Sequence, residues 1–280
     1  MIVRTWCSPD ADDRFMMWAI TEGHLDTGPY RFEVHHEPTD ALNARAIRGD
    51  ADVCAFSFGS WPALADRWLL LPHGGSMGEG YGPVVVARTP LAPEALAQVR
   101  VAVPGLNTTA YLVLRLLAGD VQPVVVPIVP YARIFEALAA GEVDAGLVIH
   151  EGRLTYGAHG LHRVVDLGEW WSQRTGGLPL PLGGNAIRAD LPPADVAAIS
   201  AILRDAIRYG LDHREQAIAW LLDTGCALPD AAAVDAYLRM YANERTWSYG
   251  DAGRAGITAL FAEAAAVGAL PSVPPVRWAP

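Results

Sequence analysis

Short apolar runs, each closed by a glycine, a proline or a polar residue, limit what this chain can fold into more than any other feature. Ile2 to Cys7, Asp52 to Phe56, Trp68 to Leu71 and Pro83 to Ala87 are such runs, and so are Arg100 to Val103, Val124 to Val129, Ala145 to Ile149 and Leu161 to Leu167, while Arg31 to His36 alternates as a strand does. Runs of this length with such boundaries read as strands. Phe15 to Ile20, Asp40 to Ile47, Pro62 to Asp66, Ala110 to Leu117 and Tyr131 to Ala140 lie between them and read as helices. Leu178 to Leu182 carries alternating prolines and leads into Gly183-Gly184, as a chain crossing between two lobes would. From Pro193 onward apolar residues keep helical spacing over Val196 to Tyr209, Arg214 to Leu222, Ala231 to Tyr241 and Gly253 to Val267, and Pro271 to Pro280 is a tail. This order predicts an α/β fold of two lobes with a cleft between them. One lobe is expected to combine residues 1–87 with 184–280, and the other to span 88–183.

Composition narrows the function. The chain has 280 residues, 51% of them hydrophobic and 19% charged, enough for one large or two small domains. A formal net charge of −10 repels phosphate backbones, so nucleic acid is not an expected partner. No apolar stretch reaches the ~18–20 residues that a membrane span needs. The N-terminal residues lack the apolar core of a signal peptide, which makes the cytoplasm the expected location. Cys7, Cys54 and Cys226 are odd in number and far apart, so they read as reduced thiols rather than a disulfide framework or a zinc site. No cluster has metal-ligand spacing. Adjacent His35 and His36 would point to opposite faces of a strand and could not share a metal. Nothing in the sequence assigns an oligomeric state.

The candidate site residues fall at predicted strand ends. The run Ala145 to Ile149 stops abruptly at His150 and Glu151. Ligands of open α/β sheets bind outside the carboxyl ends of the strands. A histidine there suits proton transfer at neutral pH, although a structural histidine bonded at a strand end reads equally well locally. Asn107-Thr108-Thr109 opens a helix, where hydroxyls, free N–H groups and the positive dipole end make either an anion site or a plain N-cap. Ser8, Ser57 and Ser76 also sit at strand ends, and Gly80 lies in the glycine-rich loop Gly74 to Gly82. That loop matches neither the phosphate-binding loop nor the dinucleotide fingerprint. Asp10, Asp12 and Asp13 put three carboxylates near the first helix start; one can cap it, which does not account for three. Asp10, if it faces the cleft, would repel an anionic ligand group and favour hydroxyl or cationic groups.

Several blocks together resemble a known family. They are Ser57, Gly78-Glu79-Gly80-Tyr81-Gly82-Pro83, Val103-Pro104-Gly105-Leu106-Asn107-Thr108-Thr109-Ala110, residues 144–156, Val165-Asp166-Leu167-Gly168-Glu169-Trp170-Trp171 and Leu180-Pro181-Leu182-Gly183. The chain resembles the futalosine-pathway enzymes of menaquinone biosynthesis, closer to the 1,4-dihydroxy-6-naphthoate synthase branch than to the chorismate dehydratase branch. The resemblance implies a periplasmic-binding-protein type II fold and a small-molecule carboxylate substrate, cyclic dehypoxanthinyl futalosine. It implies a carbon–carbon lyase reaction ending in aromatisation, with His150 as general base and neither metal nor organic cofactor required. It places Ser57, Thr108 and Thr109 at the cleft, and Asn107, Ser76, Gly80 and Asp10 complete the candidate substrate-binding set. The chain departs from the family where a first motif usually reading Ser-Pro-Cys-Pro-Asn-Asp-Thr-Phe becomes Ser8-Pro9-Asp10-Ala11-Asp12-Asp13-Arg14-Phe15. It departs again at Glu37-Pro38, where Glu-Asp is frequent, and at Ser172, where a Glu is usual. Other expectations compete with a synthase: a binding-only paralogue of the same fold that takes an aromatic or carboxylate ligand, a chorismate dehydratase-like enzyme, or a phosphatase built on Asp10-Ala11-Asp12. The last would need a later acidic metal motif that the sequence lacks.

Overall fold

Two sheets divide the strands between them. The computed structural model describes residues 1–128, 130, 132–150 and 152–280. Val129, Tyr131 and Glu151, at the edges of expected elements, lie outside the described residues. The first sheet runs Arg31–His36, Ile2–Cys7, Val53–Ser57, Leu180–Arg188, Trp68–Leu70, and the short strand Ser76–Gly78 also pairs with Leu180–Arg188. Ile2–Cys7 is parallel to both Arg31–His36 and Val53–Ser57, with Trp6 opposite His35 and Cys54. The second sheet runs His162–Asp166, Val84–Ala87, Ala145–Val148, Arg100–Val103, Gln122–Val125, and its last three strands are parallel.

Burial explains the strand compositions. Val53–Ser57, Val84–Ala87 and Ala145–Val148 are buried along their whole length, because neighbours and helices cover both faces. A continuous core joins the two sheets, from Val3, Phe56 and Trp61 through Val101 and Val113 to Leu260 and Phe261. A second cluster seats Phe15 and Trp18 of the helix Ala11–Thr21 against Leu221, Tyr237 and Leu238 of the closing helices. Cys7 and Cys54 are buried free thiols, and Cys226 is half-buried. Burial pushes the Cys54 thiol up to about 12 and raises Cys7 as well, the reverse of what a nucleophile needs. Among the described residues no helix is long and apolar enough to cross a membrane.

The sheet memberships move both expected lobe boundaries. Val84–Ala87 was assigned to the first lobe by its position, yet it pairs with Ala145–Val148 and His162–Asp166 in the second sheet. Leu180 to Gly183 was assigned to the second lobe, yet it opens a nine-residue strand of the first sheet. Pro181 is tolerated there because a register shift follows it, between Pro181 and Gly183. Strand partners far away in sequence, not local pattern, decide these memberships. The chain therefore crosses between Gly78 and Val84 and returns between Asp166 and Leu180. The two crossings press together: a Cβ on Gly168 would overlap the Tyr81 carbonyl, and one on Gly82 would come 2.8 Å from the Gly168 nitrogen, while a Cβ on Gly78 would overlap the same Tyr81 carbonyl within the outgoing turn itself. The glycine-rich loop thus lets backbone meet backbone.

Candidate active site

Both sheets aim the carboxyl ends of their parallel strands at one cavity. The first sheet contributes Ser8 and Ser57, and the second contributes Thr108, Thr109 and His150. The cavity holds about 830 Å³, counting the space that opens to solvent at its mouth. Ser76 and Gly183, neighbours in register, line it too.

One wall is the start of the helix Thr109–Ala118. Thr108 caps it: its Oγ1 accepts from the Tyr111 N–H at 3.2 Å and donates to the Gly105 carbonyl at 2.8 Å. The Thr109 hydroxyl donates to the Leu182 carbonyl at 2.5 Å and accepts from the Gly59 N–H at 3.1 Å. Both hydroxyls are therefore engaged in holding the structure. The N–H groups of Thr109 and Ala110 have no acceptor among the described residues, and both residues line the cavity. Such orphan donors at a positive dipole end attract an anion. Ser57 stands beside them, oriented by Asn43, whose Oδ1 accepts from the Ser57 N–H at 2.8 Å and whose Nδ2 donates to Ser57 Oγ at 3.2 Å. With its oxygen accepting from Asn43, the Ser57 hydroxyl proton is left to donate into the cavity.

His150 and the acidic residues Asp12 and Asp13 belong to another part of the cavity wall. His150 has φ of +51°, the only positive value at a non-glycine among the described residues. A side chain in the left-handed region costs of order 1–2 kcal/mol, and such positions cluster at functional sites. The turn after His150 is anchored by Arg153, whose Nε donates to the Gly82 carbonyl at 2.7 Å and whose Nη2 meets Asp166 at 2.5 Å. Asp166 is buried and also caps the helix Leu167–Thr175, so three donors hold its carboxylate. His150 Nδ1 lies 3.2 Å from Asp10 Oδ2. Ser8 Oγ donates to that same oxygen at 2.9 Å, and Asp13 accepts from the Ser8 N–H at 2.6 Å. The Tyr237 hydroxyl donates to Asp12 Oδ1 at 3.2 Å. Burial, reinforced by the Asp10 charge, pushes the Asp13 carboxyl up to about 6. Among the described residues no three His, Cys, Asp or Glu side chains are placed to hold a metal ion.

Residues 6–266 match the menaquinone biosynthesis family. The chain is 40% identical to a protein of Thermus thermophilus named 1,4-dihydroxy-6-naphtoate synthase, over 98% of each chain. It is 37% identical to a Streptomyces coelicolor protein of the same name, over 96% of this chain and 94% of that one.

The chain belongs to the menaquinone biosynthesis family.

It is an enzyme of that family, acting on a small molecule. A solved structure from Archaeoglobus fulgidus, 37% identical, superposes with a TM-score of 0.88 over 96% of this chain and 98% of that one. The alkanesulfonate-binding protein of Xanthomonas axonopodis pv. citri superposes with a TM-score of 0.66 over 99% of this chain and 96% of that one, at 13% identity. That likeness shows the fold alone: a two-lobed, periplasmic-binding-protein architecture.

The sequence-derived candidates of this family member divide on the structure. His150, Ser57, Ser76, Thr108 and Thr109 line the cavity. Asn107 and Gly80 are exposed and outside its lining: Asn107 gives its carbonyl to Ser60 Oγ at 2.8 Å, and Gly80 serves a turn at φ of +76°. Asp10 begins the first helix without a side-chain capping bond and turns to Ser8 and His150, so it does not face the ligand space as the sequence suggested. Sequence reasoning missed Asn43. Its signal was an asparagine on the apolar side of a short helix, buried with Leu42 and Ala46.

Proposed function

We propose that this protein converts cyclic dehypoxanthinyl futalosine into 1,4-dihydroxy-6-naphthoate, with His150 as the general base. The observation that carries the reading is one cavity lined both by open N–H donors and by an imidazole at a strained strand end. The names of the Thermus and Streptomyces relatives support the same reaction. The N–H groups of Thr109 and Ala110 and the Ser57 hydroxyl hold the substrate carboxylate, which leaves the sugar-derived end toward His150. His150 takes a proton from that end, the carbon skeleton cleaves, and the new ring aromatises. Positioning in the cleft and base catalysis share the work, the latter contributing ~10²–10⁴-fold. The test is product formation from the purified protein and the futalosine substrate. His150→Ala is expected to keep its fold and lose at least ~10²-fold in kcat. A wild-type protein that binds the substrate without making naphthoate would be a binding paralogue. An undiminished His150→Ala would place the base elsewhere.

A further inference from the structure

We infer that Asp10 is the positioning residue of His150 and that the pair is assembled across the cleft. The inference rests on His150 being the base. Asp10 follows the end of Ile2–Cys7 in the first sheet, and His150 follows the end of Ala145–Val148 in the second. Their contact at 3.2 Å therefore exists only while the two sheets face each other as they do here. The geometry specifies the chemistry of the pair. Asp10 Oδ2 takes the Ser8 hydroxyl proton at 2.9 Å, and the Asp10 N–H donates back to Ser8 Oγ at 3.1 Å, so the carboxylate is held by its own turn. A carboxylate accepts hydrogen bonds and donates none, so it selects the imidazole tautomer with hydrogen on Nδ1. The lone pair then sits on Nε2, the nitrogen left to receive the substrate proton. When Nε2 takes that proton, the imidazolium is stabilised by the Asp10 carboxylate beside Nδ1.

The side-chain burial fits this role. Asp10 is 9% exposed and His150 21%, so water competes little for the contact. Because the two partners come from opposite sheets, opening the cleft releases the ring, and closing it over substrate aligns the base. The position is also where this chain carries an aspartate in place of the cysteine usual in the motif it resembles.

The test compares Asp10→Asn, Asp10→Ala and His150→Ala in the full-length protein, with ¹⁵N-histidine spectra read alongside kinetics. The wild type is expected to show the Nδ1–H tautomer at His150. Asp10→Ala should shift that signal toward the Nε2–H form that free imidazole prefers. Both Asp10 variants should lose about tenfold or more in kcat while KM stays within about threefold, as expected of a lost orienting carboxylate. If Asp10→Ala does not fold, the near-isosteric Asp10→Asn carries both readouts. If His150→Ala is inactive while kcat and tautomer are unchanged in the Asp10 variants, the positioning role is overturned and the base assignment stands. If His150→Ala is active, the base assignment itself has failed.

Discussion

The ends of two parallel neighbours in the second sheet, Arg100–Val103 and Ala145–Val148, bring different parts of the chain to the same cavity. After the first, the side chains of Thr108 and Thr109 turn inward to the protein and the backbone N–H groups are left for a ligand. After the second, the backbone is strained and the side chain is what the cavity receives. Residue type at a strand end thus says little about which atoms face the ligand. Threonines that look like anion-binding hydroxyls are brackets, and in the proposed function the groups behind them that hold the anion are backbone N–H groups. The difference also divides labour: a helix start suits holding a fixed charge, and a histidine on a restrained turn suits moving a proton.

The sharpest way to break this comparison is to swap binding for chemistry. Thr109→Pro deletes an N–H at a position where helices accept proline, whereas Thr109→Val removes the hydroxyl and keeps the N–H. The proline variant should lose about 1.5–3 kcal/mol more carboxylate affinity than the valine variant, roughly ten- to hundredfold, measured by titration calorimetry. His150→Asn, which keeps a residue tolerant of positive φ, should bind within a few-fold of wild type. Equal losses in the Pro and Val variants would mean that the hydroxyl, not the backbone, reads the ligand.

A smaller effect concerns the acidic wall. Asp13 is raised from 3.8 to about 6 in the folded protein, so the native state binds its proton more tightly than the unfolded chain does. The sign follows: stability from this group is full below 3.8 and is lost as pH rises through about 6. Asp13→Asn keeps an acceptor for the Ser8 N–H and removes the charge. It should raise stability in urea by roughly 1–3 kcal/mol at pH 8, with the gain fading toward pH 4. A gain of equal size at both pH values would show that ionisation of Asp13 is not its source. The smallest effect tests the bracket role of Thr108: Thr108→Ala should cost about 1 kcal/mol of stability, as lost caps do, with carboxylate affinity nearly unchanged. A large affinity loss in that variant would make the side chain a ligand group after all.

Much of the fold was legible because strand ends are local events. The apolar runs that stop at Cys7, Ser57, Val103 and Val148 announce themselves, and the helices from Pro193 keep their spacing. The helix Leu167–Thr175 was not predicted, because its polar Gly-Glu and Ser-Gln-Arg segments blur the apolar stripe around Trp171. The strand Ser76–Gly78 was hidden inside a glycine loop whose pairing partner lies a hundred residues on. The same distinction holds at the cavity. Positions at strand ends could be named, but partnerships such as Asn43 with Ser57, Asp12 with Tyr237 and Asp10 with His150 join residues that only the finished fold brings together. No periodicity encodes them.

The glycines at the two crossings have a mechanical consequence. Gly82 and Gly168 let the outgoing and returning chains touch at Tyr81 and Gly82 with no side chain between them, and Gly78 makes room for the Tyr81 carbonyl within the outgoing turn. These segments are the fulcrum on which one sheet is carried relative to the other. A single methyl group at Gly168 would act as a wedge there, and a shift at a fulcrum is magnified with distance from it. Because Gly82 also lines the cavity, a wedge at this fulcrum would be felt at the cavity wall itself, so what the crossings omit bears on the size of molecule the cleft can grip.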